Sequence, residues 1–281
     1  MTLRTRLLRI LVIIILTPVI FLLSCQSKLI YHPRGYDANH LGLLKAANGE
    51  RITYQTAQAA QTAFYIPPQD ASAAATAPLW LCFSGNGSLA LEWLYSTRGW
   101  SGSFAYLLID YPSYGDCAGS PTPSSIRQSS VAAFDALALR LNTTADALRA
   151  RSYVIGHSLG AAAALMVAED LDLKRGVLIS PFTSMTDMGR GMLGWPLCYL
   201  NMHRFDNRKC LARISKRKGA RFTLFHGSAD EVIPVSMGRE LAAAHPDVIT
   251  YHEIPAAHHN DILGLIEAKI EAEMSTLSLD R

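Results

Sequence analysis

Six short apolar runs, separated by stretches of helical spacing, set the architecture open to this chain. They stand at Leu79–Phe83, Phe104–Ile109, Ser152–Ile155, Gly176–Ile179, Arg221–Phe225 and Val248–Ile254. Strands this apolar have no polar face to turn to water, so both faces of their sheet must be covered. Their alternation with helical stretches predicts an α/β fold, a mostly parallel sheet with helices on both sides. In one such stretch, Pro123 to Leu141, Thr122 and Pro123 serve as cap and first turn, and Val131, Phe134, Leu137 and Leu141 share one face. The earlier runs Arg51–Gln55 and Thr62–Ile66 predict a leading antiparallel pair, which makes a sheet of about eight strands. Pro181 to Gly219 is longer than a single crossover and is expected to be an insertion or small cap.

The N-terminus points to a membrane. Ile10 to Leu23 carries no charge and follows Arg4, Arg6 and Arg9. This run is shorter than the roughly 20 residues that span a bilayer core, and a positive segment before it reads as a secretory signal. It ends in Leu22-Leu23-Ser24-Cys25, which resembles a bacterial lipobox. That resemblance implies cleavage before Cys25 and lipid attachment to it. Gln26, in place of Asp, implies by the same resemblance the outer membrane of a two-membrane bacterium, on its periplasmic face. An uncleaved anchor helix is the alternative, and either form tethers an exported domain to a membrane. The expected organisation is therefore a signal over 1–25, a tether over 26–48 and a domain over 49–281, with 181–219 as its cap-like insertion.

Charge excludes one class of partner. The chain has 26 Lys and Arg against 23 Asp and Glu. The N-terminal arginines account for the whole excess, so no global basic field for nucleic acid remains. With 49% hydrophobic residues the rest is globular. No cysteine pair shows C-x-x-C spacing, so a zinc site has no support. Export permits disulfides, and Cys198 and Cys210 are close enough in sequence to pair. Cys82 lies inside an apolar run and is expected to be a buried thiol.

Gly156-His157-Ser158-Leu159-Gly160 follows the run Tyr153-Val154-Ile155 and opens the Ala-rich stretch Ala161 to Ala168. This is G-x-S-x-G between strand and helix, a turn so tight that it lifts the serine hydroxyl above the sheet. A serine nucleophile needs a base, and the base needs an orienting carboxylate. Asp230 follows the strand run Arg221–Phe225, and His258-His259 follows Val248 to Ile254. The order Ser158, Asp230, His259, each after a strand run, is the chain order of α/β-hydrolases.

On these residues the chain resembles the α/β-hydrolase superfamily over residues 50–275. It is most similar to the small membrane-anchored serine hydrolases that include lysophospholipase-like enzymes and protein depalmitoylases. Ser84-Gly85-Asn86-Gly87 resembles that branch's His-Gly-Asn-Ala-Gly oxyanion loop, with Ser84 replacing the histidine. Asp110-Tyr111-Pro112-Ser113-Tyr114-Gly115 resembles its Asp-Tyr-x-x-Tyr-Gly turn, and Ser180-Pro181-Phe182-Thr183-Ser184 and Arg204-Phe205-Asp206 resemble the segments around its insertion. His258-His259-Asn260-Asp261 resembles Gly-His-Asn-Asp, which aligns His259 with the catalytic base and leaves His258 as a second candidate. The resemblance implies a Ser158–His259–Asp230 triad, oxyanion donors from the Asn86 and Leu159 amides, an acyl-ester substrate and no cofactor. A serine peptidase on the same fold, or a tethered binding protein without activity, are the alternative functions.

A competing motif, Gly85-Asn86-Gly87-Ser88-Leu89-Ala90 with Asp110 ending the next strand, formally fits a dinucleotide fingerprint. It would leave Ser158, Asp230 and His259 as coincidences. His157 is expected to be a packing residue, His226 to hold its loop, and Cys117 to be a loop thiol near Asp116 at the rim of the site. In the insertion, Met185, Met188, Met192, Leu193, Trp195, Leu197 and Leu200 suit either an acyl-chain pocket or the packing of a cap. The basic run from Arg204 to Arg221 is expected to be a solvated helix and loop, with anionic headgroups as the other reading.

Overall fold

The computed structural model describes residues 3–279; the outermost two residues at each end of the expected organisation lie outside it. Helix α1 (Leu3–Ile30) and helix α2 (Ala38–Ala46) precede the antiparallel strands β1 (Glu50–Gln55) and β2 (Ala60–Ile66). Then follow β3 (Leu79–Phe83), α3 (Trp93–Thr97), β4 (Ala105–Ile109), α4 (Pro123–Arg140) and α5 (Ala145–Arg149). Next come β5 (Ser152–His157), α6 (Leu159–Asp170), β6 (Arg175–Ile179), α7 (Met185–Leu193) and α8 (Asn207–Ile214). The chain closes with β7 (Arg221–Gly227), α9 (Val235–Ala244), β8 (Ile249–Ile254), α10 (Ile262–Leu265) and α11 (Glu267–Leu279).

The sheet has eight strands in the order β1-β2-β4-β3-β5-β6-β7-β8. It is parallel from β4 through β8, while β2 runs antiparallel to both β1 and β4. Alternate side chains of each strand serve opposite faces. Leu79, Leu81 and Phe83 of β3 pack into one core with Phe134 and Leu137 of α4, the Ala-rich α6 and Leu211 of α8. Trp80 and Cys82 pack into the other with Trp93, Ile262 and α11 residues Ile270, Met274 and Leu277. The two covered faces are the physical reason the central strands read as unbroken apolar runs. Helix α4 starts as its sequence predicts, with the Thr122 side chain accepting from the Ser125 N–H.

Two expectations need correction, and one open pairing is not formed. The insertion is shorter than 181–219: an isolated antiparallel bridge between Ser184 and Asp206 closes its neck, and α8 beyond it packs on α6 as an ordinary crossover helix. Residues 26–48 are not a free tether. Tyr31 and Gln26 are buried, the Tyr31 hydroxyl meets the His203 ring at 3.1 Å, and α2 is capped by Asp37. Cys198 and Cys210 form no bridge and are free buried thiols; the Cys210 Sγ–H donates to Glu169 instead.

Helix α1 runs unbroken through Cys25 and is long and apolar enough to cross a membrane, as a signal sequence near an N-terminus also is. Four residues of the basic run from Arg204 to Arg221 pair with acids. Arg208 bonds Asp187 and Glu240, Lys209 bonds Asp206, Arg213 bonds Glu169 and Arg217 bonds Asp172.

Candidate active site

Steric exclusion builds the turn that carries Ser158. A Cβ on Gly156 would lie 2.2 Å from the Gly160 carbonyl oxygen, and one on Gly160 would lie 2.1 Å from that of Phe83. Both clashes are with backbone, so neither can be relieved by a side chain moving aside. Ser158 itself sits at φ 58°, ψ −118°, a region L-residues rarely occupy, and it is pinned by its N–H donating to the Ile179 carbonyl at 2.9 Å. The result is a hydroxyl at the carboxyl end of β5 and the N-terminus of α6.

The other two residues arrive from neighbouring strands. Asp230 lies in the turn after β7 and His259 in the loop after β8. The Ser158 Oγ–H donates to His259 Nε2 at 2.9 Å, and His259 Nδ1–H donates to Asp230 Oδ2 at 2.8 Å. These bonds select the His259 tautomer with its proton on Nδ1 and a lone pair aimed at the serine. His258 points elsewhere: it is exposed, and its Nδ1 pairs with Glu231 at 3.1 Å. Of the two adjacent candidate bases, His259 is the one that meets Ser158.

Asp230 is anchored from two sides. Its Oδ1 accepts the N–H of Val232 at 3.0 Å and of Ile233 at 2.7 Å, while His226 stands 3.5 Å from Oδ2. Burial alone would raise its pKa, but the bonds from His226, His259 and the Ile233 amide outweigh it and hold the carboxyl well below the usual range. His226 donates to the Ile233 carbonyl at 2.9 Å and so holds the loop, as expected.

Beneath the base lies His157. It is buried, its ring centroid lies 4.9 Å from that of His259 with the planes tilted by 36°, and its Nε2–H donates to the His259 carbonyl at 3.1 Å. Burial, and then the neighbouring His259, push its pKa down to about 4. His157 thus packs against His259, as expected, and also bonds its carbonyl.

The loop after β3 is braced by residues far away in sequence. Tyr111 OH donates to the Ser84 carbonyl at 2.6 Å, Ser84 Oγ–H donates to the Leu89 carbonyl at 3.1 Å, and Asn86 Oδ1 accepts from Tyr114 OH and the His32 N–H. With its side-chain oxygen thus engaged, Asn86 can offer an oxyanion its backbone N–H. Leu159 opens α6, so its N–H has no acceptor within the helix. Ser84, where the resembled family has histidine, keeps the loop folded through its own hydroxyl.

The dinucleotide reading does not survive this geometry. Asp110 is buried, with its carboxylate bonded to the Ala90 N–H at 2.8 Å and to the Tyr36 hydroxyl, so it presents nothing to a ribose. Only a three-residue 3₁₀ turn and the five-residue α3 follow the glycines, in place of the long helix that would cradle a pyrophosphate. Cys117 is buried against β2 rather than lying at a rim, and burial pushes its thiol up to about 12. Asp116 pairs with Arg51. Among the described residues no cluster of His, Cys, Asp and Glu could hold a metal.

A cavity of about 400 Å³ touches Ser152 and Arg175, where β5 and β6 begin, and therefore lies at the sheet edge opposite Ser158. An apolar groove of about 300 Å³ runs instead between the insertion and the end of α1, lined by Met185, Met188, Met192, Leu200, Leu29 and Ile30. Sequence reasoning missed the parts played by His32, Tyr36 and Gln26, because nothing local distinguishes a linker residue that will reach across the molecule.

A serine, histidine and aspartate joined in series at the carboxyl edge of a largely parallel eight-stranded sheet define the class of the α/β hydrolases. The family model for the alpha/beta hydrolase family matches residues 79–266, and the chain belongs to that family. It is 27% identical over 248 residues to the uncharacterized protein Rv2307c of Mycobacterium tuberculosis, covering 86% of this chain and 83% of that one. Its fold is similar to that of an alpha-beta hydrolase from Vibrio vulnificus, with TM-score 0.65 and 18% identity over 85% of this chain and 88% of the other. An esterase of Pyrococcus furiosus has TM-score 0.62 and 14% identity, covering 88% of this chain and 95% of its own.

Proposed function

We propose that this chain is a membrane-tethered serine hydrolase that cleaves carboxylic esters or thioesters of acyl or lipid type. The observation that carries the reading is the unbroken Ser158–His259–Asp230 hydrogen-bond series. His259 takes the Ser158 proton as Oγ attacks the carbonyl carbon, and Asp230 stabilises the imidazolium that forms. The Asn86 and Leu159 amides meet the oxyanion, where one such donor is worth about 3–4 kcal/mol. The tetrahedral adduct collapses as His259 returns the proton to the leaving group. Water then attacks the acyl-enzyme, giving its proton to the same histidine, and Ser158 is released with the acid. No step calls for a cofactor.

The substrate class rests on the apolar groove, whose roughly 300 Å³ is at the lower end of ligand-site volumes, and on the membrane-directed N-terminus, either as a retained helix or through lipid on Cys25. Hydrolysis of p-nitrophenyl esters from acetate to palmitate, with wild type beside Ser158→Ala, tests it. Turnover that rises with chain length and vanishes in the variant is the expected result. Equal turnover by both proteins would remove Ser158 from the mechanism. Absence of ester turnover with cleavage of peptide substrates would select the peptidase alternative. Failure of Ser158 to react with a fluorophosphonate would select the silent binding protein.

A further inference from the structure

The insertion between Ser184 and Asp206 carries an apolar surface that no described residue covers. Met192 is 81% exposed, Trp195 77%, Met202 70% and Tyr199 52%. Soluble surfaces scatter such residues singly; a cluster of four on one short excursion marks a docking face. The composition is that of a membrane interface, where tryptophan and tyrosine collect at headgroup level. From Met188 to Arg204 there are two arginines and no acidic residue. Arg190 donates to the Tyr199 hydroxyl and Arg204 to the Asn201 carbonyl, so both guanidinium groups border the apolar face.

What covers this face follows from where the insertion is fastened. Gln26 is buried against it: its Nε2–H donates to the Leu200 carbonyl at 2.7 Å, and its Oε1 accepts the Met202 N–H at 2.7 Å. Gln26 lies three residues beyond Leu23, the last residue of the charge-free run, a rise of about 4.5 Å along a helix. If α1 is retained, its apolar section ends within that distance of the clasp. Cleavage and lipid attachment at Cys25 would place the acyl chains one residue from it. Both routes of tethering bring the bilayer surface to the same side of the insertion.

We propose that the insertion is a second membrane contact, its exposed face of Met192, Trp195, Tyr199 and Met202 seated at the boundary between headgroups and acyl chains. This rests on the tethered reading above and not on the hydrolytic one. The face extends the N-terminal contact, and a helix or loop of this kind sits roughly 5–10 Å into the headgroup and acyl boundary. The groove between α7 and the end of α1 then opens at the lipid surface.

The chain has four tryptophans, and Trp80, Trp93 and Trp100 are buried, which leaves Trp195 as a reporter. The full chain is reconstituted into phosphatidylcholine vesicles with or without bromine on the acyl chains. Flotation on a density gradient reads the tether, and tryptophan emission reads the insertion. The expected result is flotation, a blue-shifted Trp195 component, strong quenching by the brominated lipid, and loss of most of that quenching in Trp195→Phe. Met192→Glu combined with Met202→Glu should weaken the quenching while flotation persists. Flotation with equal quenching in wild type and Trp195→Phe would overturn the proposal and leave the tether standing. Flotation with Trp195 still open to aqueous iodide, or shielded only at high protein concentration by a second copy, would do the same. Failure to float would remove the tether and the proposal together.

Discussion

The turn around Ser158 and the insertion around Gly191 are both glycine-bearing, and they could hardly be held more differently. At Gly156 and Gly160 an added Cβ would run into main-chain atoms, whereas at Gly191 and Gly194 it would meet nothing within 4 Å. Ser158, His259 and Asp230 are bonded in series with buried support; the insertion presents its methionines and Trp195 to the outside. The first region tolerates one geometry, because each of its atoms is over-determined by neighbours from several strands. The second is constrained mainly at its neck and at the Gln26 clasp. Under the proposed function, bond-breaking falls to the rigid region and the choice of what reaches it to the loose one.

Substitutions can break this contrast. The largest effect is expected at the triad: Asp230→Asn should lower kcat by about 10⁴-fold through loss of the His259 tautomer, and chemical denaturation should also show lower stability near neutrality, because the folded state favours the charged carboxyl. Gly160→Ala should destabilise by about 4 kcal/mol or more, since its methyl meets the Phe83 and Ser84 carbonyl oxygens; a melting curve like that of wild type would show the elbow to be looser than described.

A pH comparison sharpens the account of His157. Its folded pKa lies below the ordinary value of about 6.5, so its contribution to stability is complete above that value and is lost as pH falls toward about 4. Asp110 works in the opposite sense. Burial raises its pKa to about 6, so its charged form costs stability near neutrality, and the loss is recovered on acidification. In His157→Gln the Asp110 contribution stays and the amide can still donate to the His259 carbonyl. Between neutral pH and about 4, wild type should therefore lose about 3 kcal/mol more than this variant, at about 1.4 kcal/mol per pH unit of displacement. Parallel denaturation curves at the two pH values would refute it.

Smaller effects are expected at the edges of the comparison. Tyr114→Phe removes one of the two donors to Asn86 Oδ1 and should cost about 1 kcal/mol in kcat/KM for a short ester. Gly191→Ala, in an exposed turn of α7, should raise stability by up to about 1 kcal/mol and leave acetate-ester turnover unchanged. If Gly160→Ala and Gly191→Ala behaved alike, the distinction between the two regions would fall.

Much of the fold was legible because a doubly covered sheet writes its strands as continuous apolar runs. The strand β3, for instance, coincides with Leu79–Phe83. The turn that carries Ser158 was legible because the two glycines it requires stand within four positions of each other. Illegible were the bounds of the insertion, since the pairing of Ser184 with Asp206 joins positions that nothing local connects. The resemblance favoured His259 over the adjacent His258, and in the structure His258 pairs with Glu231 while His259 meets Ser158.

By itself, then, the sequence determined the strands, the helix starts and the strained serine turn, all of which follow from periodicity and short-range sterics. Tertiary structure alone decided that Asp110 is buried on Tyr36 rather than offered to a ligand, that His157 lies beneath His259, and that Gln26 clasps the insertion across 174 positions. The reason is physical: apolar periodicity and the spacing of the two glycines around Ser158 are written in neighbouring residues, whereas a buried polar group is satisfied by whichever distant partner the packing brings within about 3 Å.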